Sequence, residues 1–362
     1  MFNTSSEFEL QLAFGLGAAS MTVAVGLALQ VLLMRLRGVR RASELQALHA
    51  RWRPLLARAA LGEAAELTLP ALQRGQRADL LLLWNELQDG LRGSGHDGLN
   101  QLAARLDLHT DAARWAEGAP MAERVIGLAT LGHLGQPEDW ARLRAAMGDA
   151  LSLVSVSAAR ALLQLDAERA APEVLGEYLR RSDWPAPRLG TLLRDAGAQA
   201  VAPPLLARLK DASAADQVRL LPLLRFAESP HRGSVLHRII ERSDNPQVLS
   251  LALRQLHGPT SLPHVRAHAR HADALVRSAA AQALGRIGMA HDRGLLTTLL
   301  SDSDWWVRYR AAQAQLTLPG TDAATLQALR AGLSDRFALD ALDHASAEQV
   351  MLADAPALQV LQ

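Results

Sequence analysis

Cysteine is absent from all 362 residues, which excludes disulfides, thiolate metal sites and cysteine nucleophiles. Lysine occurs once, at Lys210, and nowhere near the glycine-rich setting of a phosphate loop. Aromatic residues make up 4% of the chain, with two tyrosines, so an Ala- and Leu-rich helical core is the only large one available. The formal net charge of +1 carries neither the surplus of a nucleic-acid binder nor the deficit of an acidic tail.

Charge itself is missing from one stretch. Between Glu9 and Arg35 the residues Leu10 to Met34 hold no ionisable group, and Arg35, Arg37, Arg40 and Arg41 follow at once. A helix of about 20 apolar residues crosses a bilayer core. A cleaved secretory signal carries its positive charge before the apolar run, whereas here Glu7 and Glu9 precede it and arginines follow. The expectation is an uncleaved transmembrane helix over 10–36. Positive charge gathers on the cytoplasmic side, so 1–9 should lie outside the inner membrane and the rest of the chain in the cytoplasm. Gly15, Ala18, Ala19, Thr22 and Gly26 give this helix a small-residue face on which another membrane helix fits.

The chain downstream is repetitive. Short segments ending in aspartate recur at Asp149, Asp183, Asp211, Asp244, Asp273, Asp302 and Asp335, with steps of 34, 28, 33, 29, 29 and 33. Val218-Arg219, Val276-Arg277 and Val307-Arg308, with Pro187-Arg188 as a variant, come shortly after, and alanine-rich helical stretches follow them. A period near 31, about two short helices long, means a solenoid. Aspartate before the second helix of a pair can cap its amides, and arginines 188, 219, 277 and 308 are expected to ladder against aspartates of neighbouring repeats.

At DALVRSAAAQALGRIG, from Asp273 to Gly288, and DWWVRYRAAQAQL, from Asp304 to Leu316, the chain resembles the HEAT-like repeat family, in the short variety named after phycobilisome lyases. The expected fold is all-α: after the N-terminal transmembrane helix, the resemblance implies a right-handed superhelix of helix pairs over 119–345, with a terminal cap or tail over 346–362. Residues 37–118 read as a membrane-proximal cap of degenerate hairpins. In it Ser43 with Gln46 should start a helix, Gly62 and Pro70 should interrupt the chain after that helix, Arg77 to Gly93 should be core, and GSGHDG (93–98) should be a turn.

Chemistry is scarce. His264, His268 and His271 share a helical face, a spacing at which two histidines can ligate zinc, but there is no His-Glu-x-x-His and no His-Glu dipeptide at all. Asp343-His344 has no serine elbow to serve. No catalytic residue, cofactor or metal is expected. The scarce aromatics sit at repeat turns, so Trp184, Trp305 and Trp306, with Arg308, Tyr309 and Arg310 beside the pair, are the candidate partner-binding residues. Trp184 and one of the pair also fit as staples closing their turns, leaving one of Trp305 and Trp306 exposed. The leading expectation is a non-catalytic scaffold that binds a protein partner, an inner-membrane complex such as a polysaccharide-synthesising glycosyltransferase being what the resemblance to single-anchor bacterial HEAT proteins implies. The alternatives are a lyase-like or metal-dependent HEAT enzyme and a nucleic-acid-binding HEAT protein.

Overall fold

In the computed structural model the chain is helical throughout, with no strand among the described residues. The structure describes residues 4–91, 95–118 and 120–354, and of 4–20, 22–24 and 352–354 the backbone alone. The helices fall into two compact units, Met1–Ala146 and Met147–Gln362.

The first unit begins with α1, Thr4–Arg58, a single uninterrupted helix. Ser43 therefore does not start a helix. A capping box works only where the chain enters helical geometry from outside, and here it is already helical. Among the described residues no helix is long and apolar enough to cross a membrane. Much of the segment expected to do so, 10–20 and 22–24, lies outside the residues whose side chains are described. Gly15, Ala18, Ala19 and Thr22 fall there; Gly26 is exposed, with nothing within 4 Å of where a Cβ would stand.

After α1 the chain turns at Gly62, whose φ of +95° is the left-handed region that glycine enters freely. Residues 67–73, Pro70 among them, are not helical. Helix α2, Arg77–Gly90, supplies the core as its sequence suggested: Leu80, Leu81, Leu83 and Trp84 are buried, and the Trp84 indole donates to the Leu99 carbonyl at 3.1 Å. The glycine-rich segment is not a turn throughout, because α3, Gly95–Arg105, begins inside it. A Cβ on Gly98 would stand 1.8 Å from the Ala59 carbonyl oxygen, so this glycine lets α3 pack on the turn that ends α1. Helices α4, Leu108–Gly118, α5, Met121–Leu134, and α6, Trp140–Met147, complete the series.

In the second unit helices alternate with turns: α7, Ser152–Leu165, α8, Ala167–Arg180, α9, Ala186–Ala196, α10, Ala198–Asp211, and α11, Ala214–Leu220, come first. Next come α12, Arg232–Arg242, α13, Pro246–Gln255, α14, Leu262–His268, α15, Ala274–Ile287, α16, Arg293–Leu300, α17, Trp305–Thr317, α18, Ala323–Gly332, and α19, Arg336–Asp354. Helices α13, α15, α17 and α19 pack side by side in one layer, and α12, α14 and α16 each pack on the next helix in the chain.

Alanine sets the spacing in that layer. Ala279, Ala280, Ala281 and Ala283 of α15 and Ala311, Ala312 and Ala314 of α17 are all buried. A Cβ on Gly285 would meet Ala314 Cα at 3.0 Å, so the two backbones approach as closely as small residues permit.

The turn aspartates cap as expected at Asp273, which accepts from the Leu275 amide at 2.8 Å, and at Asp335, which accepts from Phe337 at 3.0 Å. In the repeat between them the cap is Asp304 and not Asp302, accepting from Trp306 and Val307. The caps therefore stand at 273, 304 and 335, a regular step of 31. Elsewhere Asn245 and Ser213 take the capping role.

Candidate partner-binding site

The Asp304 cap fixes the first turn of α17 and with it the direction of each side chain. Val307 and Ala311 are fully buried and Tyr309 nearly so, while Trp305 and Trp306 are 45% and 57% exposed. Both indoles, and not one of them, face out. They meet edge to face with centroids 4.7 Å apart, and Trp305 lies flat on the Tyr309 ring at 5.0 Å, the i, i+4 contact of a helix. The Tyr309 hydroxyl donates to Glu348, and Gln313 Nε2 donates to the hydroxyl oxygen at 2.9 Å. That hydrogen bond to Glu348, with burial, holds the phenol above its ordinary range and keeps it a donor. Tyr309 is thus the floor of the aromatic cluster and not a surface residue, which corrects its place among the expected contacts.

Two further candidates change role. Trp184 is buried, 4% exposed, and its indole donates to Ser155 Oγ at 3.2 Å. The reason is register: Pro185 delays the start of α9 to Ala186, so Trp184 precedes the helix and folds inward, whereas Trp305 is the first residue of its own. Arg308 is half-buried and holds its own turn, donating to the carbonyls of Asp302 at 2.7 Å and Ser303 at 3.0 Å while its guanidinium lies 5.4 Å from the Phe337 ring. Arg310 donates to Gln313 at 2.7 Å and remains at the surface of α17.

The expected arginine ladder uses aspartate in one rung. Arg277 makes a two-armed pair with Asp302, at 2.7 and 2.8 Å, and also donates to the carbonyls of His271 and Ala272. Burial pushes the Asp302 carboxyl up, but Arg277 and the Asp304 amide outweigh it and hold the group below the usual carboxylate range. Arg219 instead donates to the carbonyls of Tyr178, Leu179 and Arg181 with its guanidinium over the Tyr178 ring. Backbone carbonyls at a helix end attract a cation as well as a carboxylate does, and the sequence does not distinguish them. Arg188 is exposed and joins no such contact among the described residues.

The three histidines do not converge on one point, although the rings of His268 and His271 lie parallel with centroids 6.1 Å apart. His264 stacks on His237 at 4.4 Å, His268 Nδ1 lies 2.8 Å from the His264 carbonyl, and His271 Nδ1 accepts from the Asp273 amide at 3.0 Å. No group of His, Asp and Glu able to hold a metal ion occurs among the described residues.

Residues that sequence reasoning passed over surround the tryptophans. Leu275 and Phe337, 41% and 63% exposed, occupy the positions that Trp306 occupies in its repeat, two residues after the capping aspartate. The step of 31 was the available signal, hidden by counting from Asp302. Arg254 at the end of α13 and Arg286 at the end of α15 are also exposed on this layer.

No curated protein matches the chain. Residues 233–316 and 262–342 match the family model of HEAT repeats, a match that does not extend to the phycobilisome-lyase variety. Over 233–342, from α12 into α19, the chain is similar to HEAT-repeat proteins, whose stacked helix pairs commonly serve protein–protein interaction.

Proposed function

We propose that this chain is a non-catalytic, membrane-anchored HEAT-repeat scaffold that engages a protein partner through the tryptophan edge of α17. The observation that carries the reading is the pair Trp305 and Trp306, large rings left exposed on a rigid base of Tyr309, Gln313 and Glu348. Exposed tryptophans on a pre-ordered support are what interface hot spots are made of. The anchor rests on the uncharged run Leu10 to Met34 and on the exposure of every described side chain from Val25 to Glu44, Leu29, Leu32 and Leu33 included. An apolar helix exposed on all sides is at ease in lipid and not in water.

The partner class to examine first is an inner-membrane complex, a polysaccharide-synthesising glycosyltransferase being suggested by the family resemblance alone. Trp305→Ala with Trp306→Ala should abolish co-purification of the native partner from solubilised membranes while leaving the thermal melt unchanged, each hot-spot truncation costing about 2 kcal/mol or more of binding. A collapsed melt would make the pair structural and the proposal wrong. A reporter fused at the C-terminus should be active only in its cytoplasmic form, as the seven arginines from Arg35 to Arg58 against the single acidic Glu44 require.

A further inference from the structure

Leu275, Trp306 and Phe337 stand at one position of three successive repeats, 31 residues apart, each two residues past its capping aspartate and each exposed. The helices that carry them, α15, α17 and α19, are neighbours in one layer. Packed helix axes lie about 8 to 10 Å apart, so the three side chains form a ridge with one apolar rung at roughly that spacing.

Beside the ridge the charge without an ion-pair partner is arginine. A cavity of about 390 Å³ is lined by Leu275, Trp306, Arg254, Arg310, Ser278 and Asp304. A second, of about 300 Å³, has Arg310 and Arg286 in its wall together with Glu348. The two carboxylates are already engaged: Asp304 caps α17, and Glu348 accepts from Tyr309 and Gln313. No carboxylate comes within ion-pair distance of Arg254, Arg286 or Arg310 among the described residues, and the Arg254 guanidinium donates to no protein group there. Arg286 is held by the carbonyls of Arg254 and Leu253, so it is fixed in place. Partial burial and the neighbouring guanidinium of Arg310 hold Arg254 below the usual arginine range, and Arg232 and Arg254 do the same to an already desolvated Arg286. Arginine stays charged regardless, so an incoming anion relieves the crowding.

We propose that the ridge of Leu275, Trp306 and Phe337, with Arg254 and Arg310 along it, docks an acidic segment of a protein partner that lies in the polyproline II conformation and carries an apolar side chain at every third residue. A polyproline II chain has three residues per turn and rises about 3.1 Å per residue, so every third side chain returns to the same face about 9 Å along and falls on a rung, while the acidic residues between point to either side, towards the guanidiniums. The proposal rests on the scaffold reading and names the chemistry of its partner.

The probe is a fluorescein-labelled peptide of repeated Asp-Glu-Leu, titrated into the detergent-solubilised full-length chain and followed by anisotropy. It should bind, weaken with added salt, and lose about tenfold or more in affinity when Asp and Glu are replaced by Asn and Gln or when the same residues are scrambled out of the three-residue register. Arg254→Glu should weaken it comparably with an unchanged melt, because Arg254 holds nothing in the fold; Leu275→Ala with Phe337→Ala should do the same. No binding, or equal binding by the scrambled peptide or by these variants, overturns the proposal. The native partner separates this failure from that of the scaffold reading. If Trp305→Ala with Trp306→Ala releases it but Arg254→Glu does not and the peptide fails to displace it, the scaffold stands and the acidic-segment proposal falls. Displacement of that partner by the registered peptide alone supports both.

Discussion

The two compact units hold their helices together by different means. In Met1–Ala146 the fully buried side chains include Trp52, Trp84, Leu56, Leu80, Leu99 and Leu102, and individual polar bonds such as Trp84 to the Leu99 carbonyl tie them. In Met147–Gln362 the seam between α15 and α17 is made largely by alanine, and the turns before these two helices are each closed by a capped helix start and a guanidinium. A large side chain fills one space of one shape, so every contact in the first unit is solved separately and leaves no period. Alanine with a clip is a solution that fits any similar neighbour, and it recurs. Family resemblance obeys the same division: the HEAT match falls wholly in the second unit.

The largest expected effect comes from the first kind of packing. Trp84→Ala should destabilise the protein by about 3 to 5 kcal/mol, since it opens a cavity and removes the indole's bond to the Leu99 carbonyl. Ala280→Leu, at a fully buried seam residue of α15, should cost about 1 to 3 kcal/mol through overpacking. Denaturant unfolding of both variants checks the comparison. If Ala280→Leu were neutral, the alanine seam would not be close-packed and the contrast between the units would fail.

The same contrast explains how much of the molecule was readable in advance. The helical repeat, its aspartate turns and the buried α2 stretch announced themselves because each is a pattern shared by several positions. The continuity of α1 through Ser43 did not, since a capping motif carries no information about whether the preceding residues are already helical. Gly98 looked like loop chemistry but is a close contact with Ala59, a partner nearly 40 residues away. At the candidate site the tryptophans were legible as rare residues at turns. Their directions were not, because Trp184 and Trp305 differ only in how Pro185 shifts the helix start. Arg254 and Arg286 were invisible for another reason: they stand at different heights of their helices, and only packing brings each into the wall of a cavity that it shares with Arg310.

Within the repeats the clips can be ranked. Arg277→Gln removes a pair in which both side chains are largely buried and leaves the Asp302 carboxylate without its guanidinium, which should cost about 2 to 3 kcal/mol. Arg188→Gln, at an exposed arginine in the corresponding segment of its repeat, should stay within about 0.5 kcal/mol of the wild type. Thermal melts of the two variants side by side decide it. Equal losses would mean that the guanidinium, and not what it touches, is what each repeat requires.

The smallest effect is a pH dependence within the second unit. His237 on α12 has Nε2 3.0 Å from Ser261 Oγ, and that hydroxyl donates to the His257 carbonyl, so the ring donates Nε2–H. Burial first, and then the neighbouring His264, hold its pKa below the ordinary value, with Glu241 opposing them. In the unfolded chain the same ring titrates at about 6.5. Below that pH the unfolded state binds a proton that the folded state resists, so stability is complete above about 6.5 and declines as the pH falls towards the lower folded value. The melting temperature should therefore drop on acidification from about pH 7.5 to 5.5. His237→Gln keeps a donor for Ser261 but cannot take a proton, and should flatten the decline in that window. The further loss below about pH 4, where Asp302 and Asp292 begin to take up protons that their folded, arginine-paired forms resist, should remain. A profile through pH 6 that His237→Gln leaves unaltered would show that the α12–α14 contact is indifferent to this ring's charge.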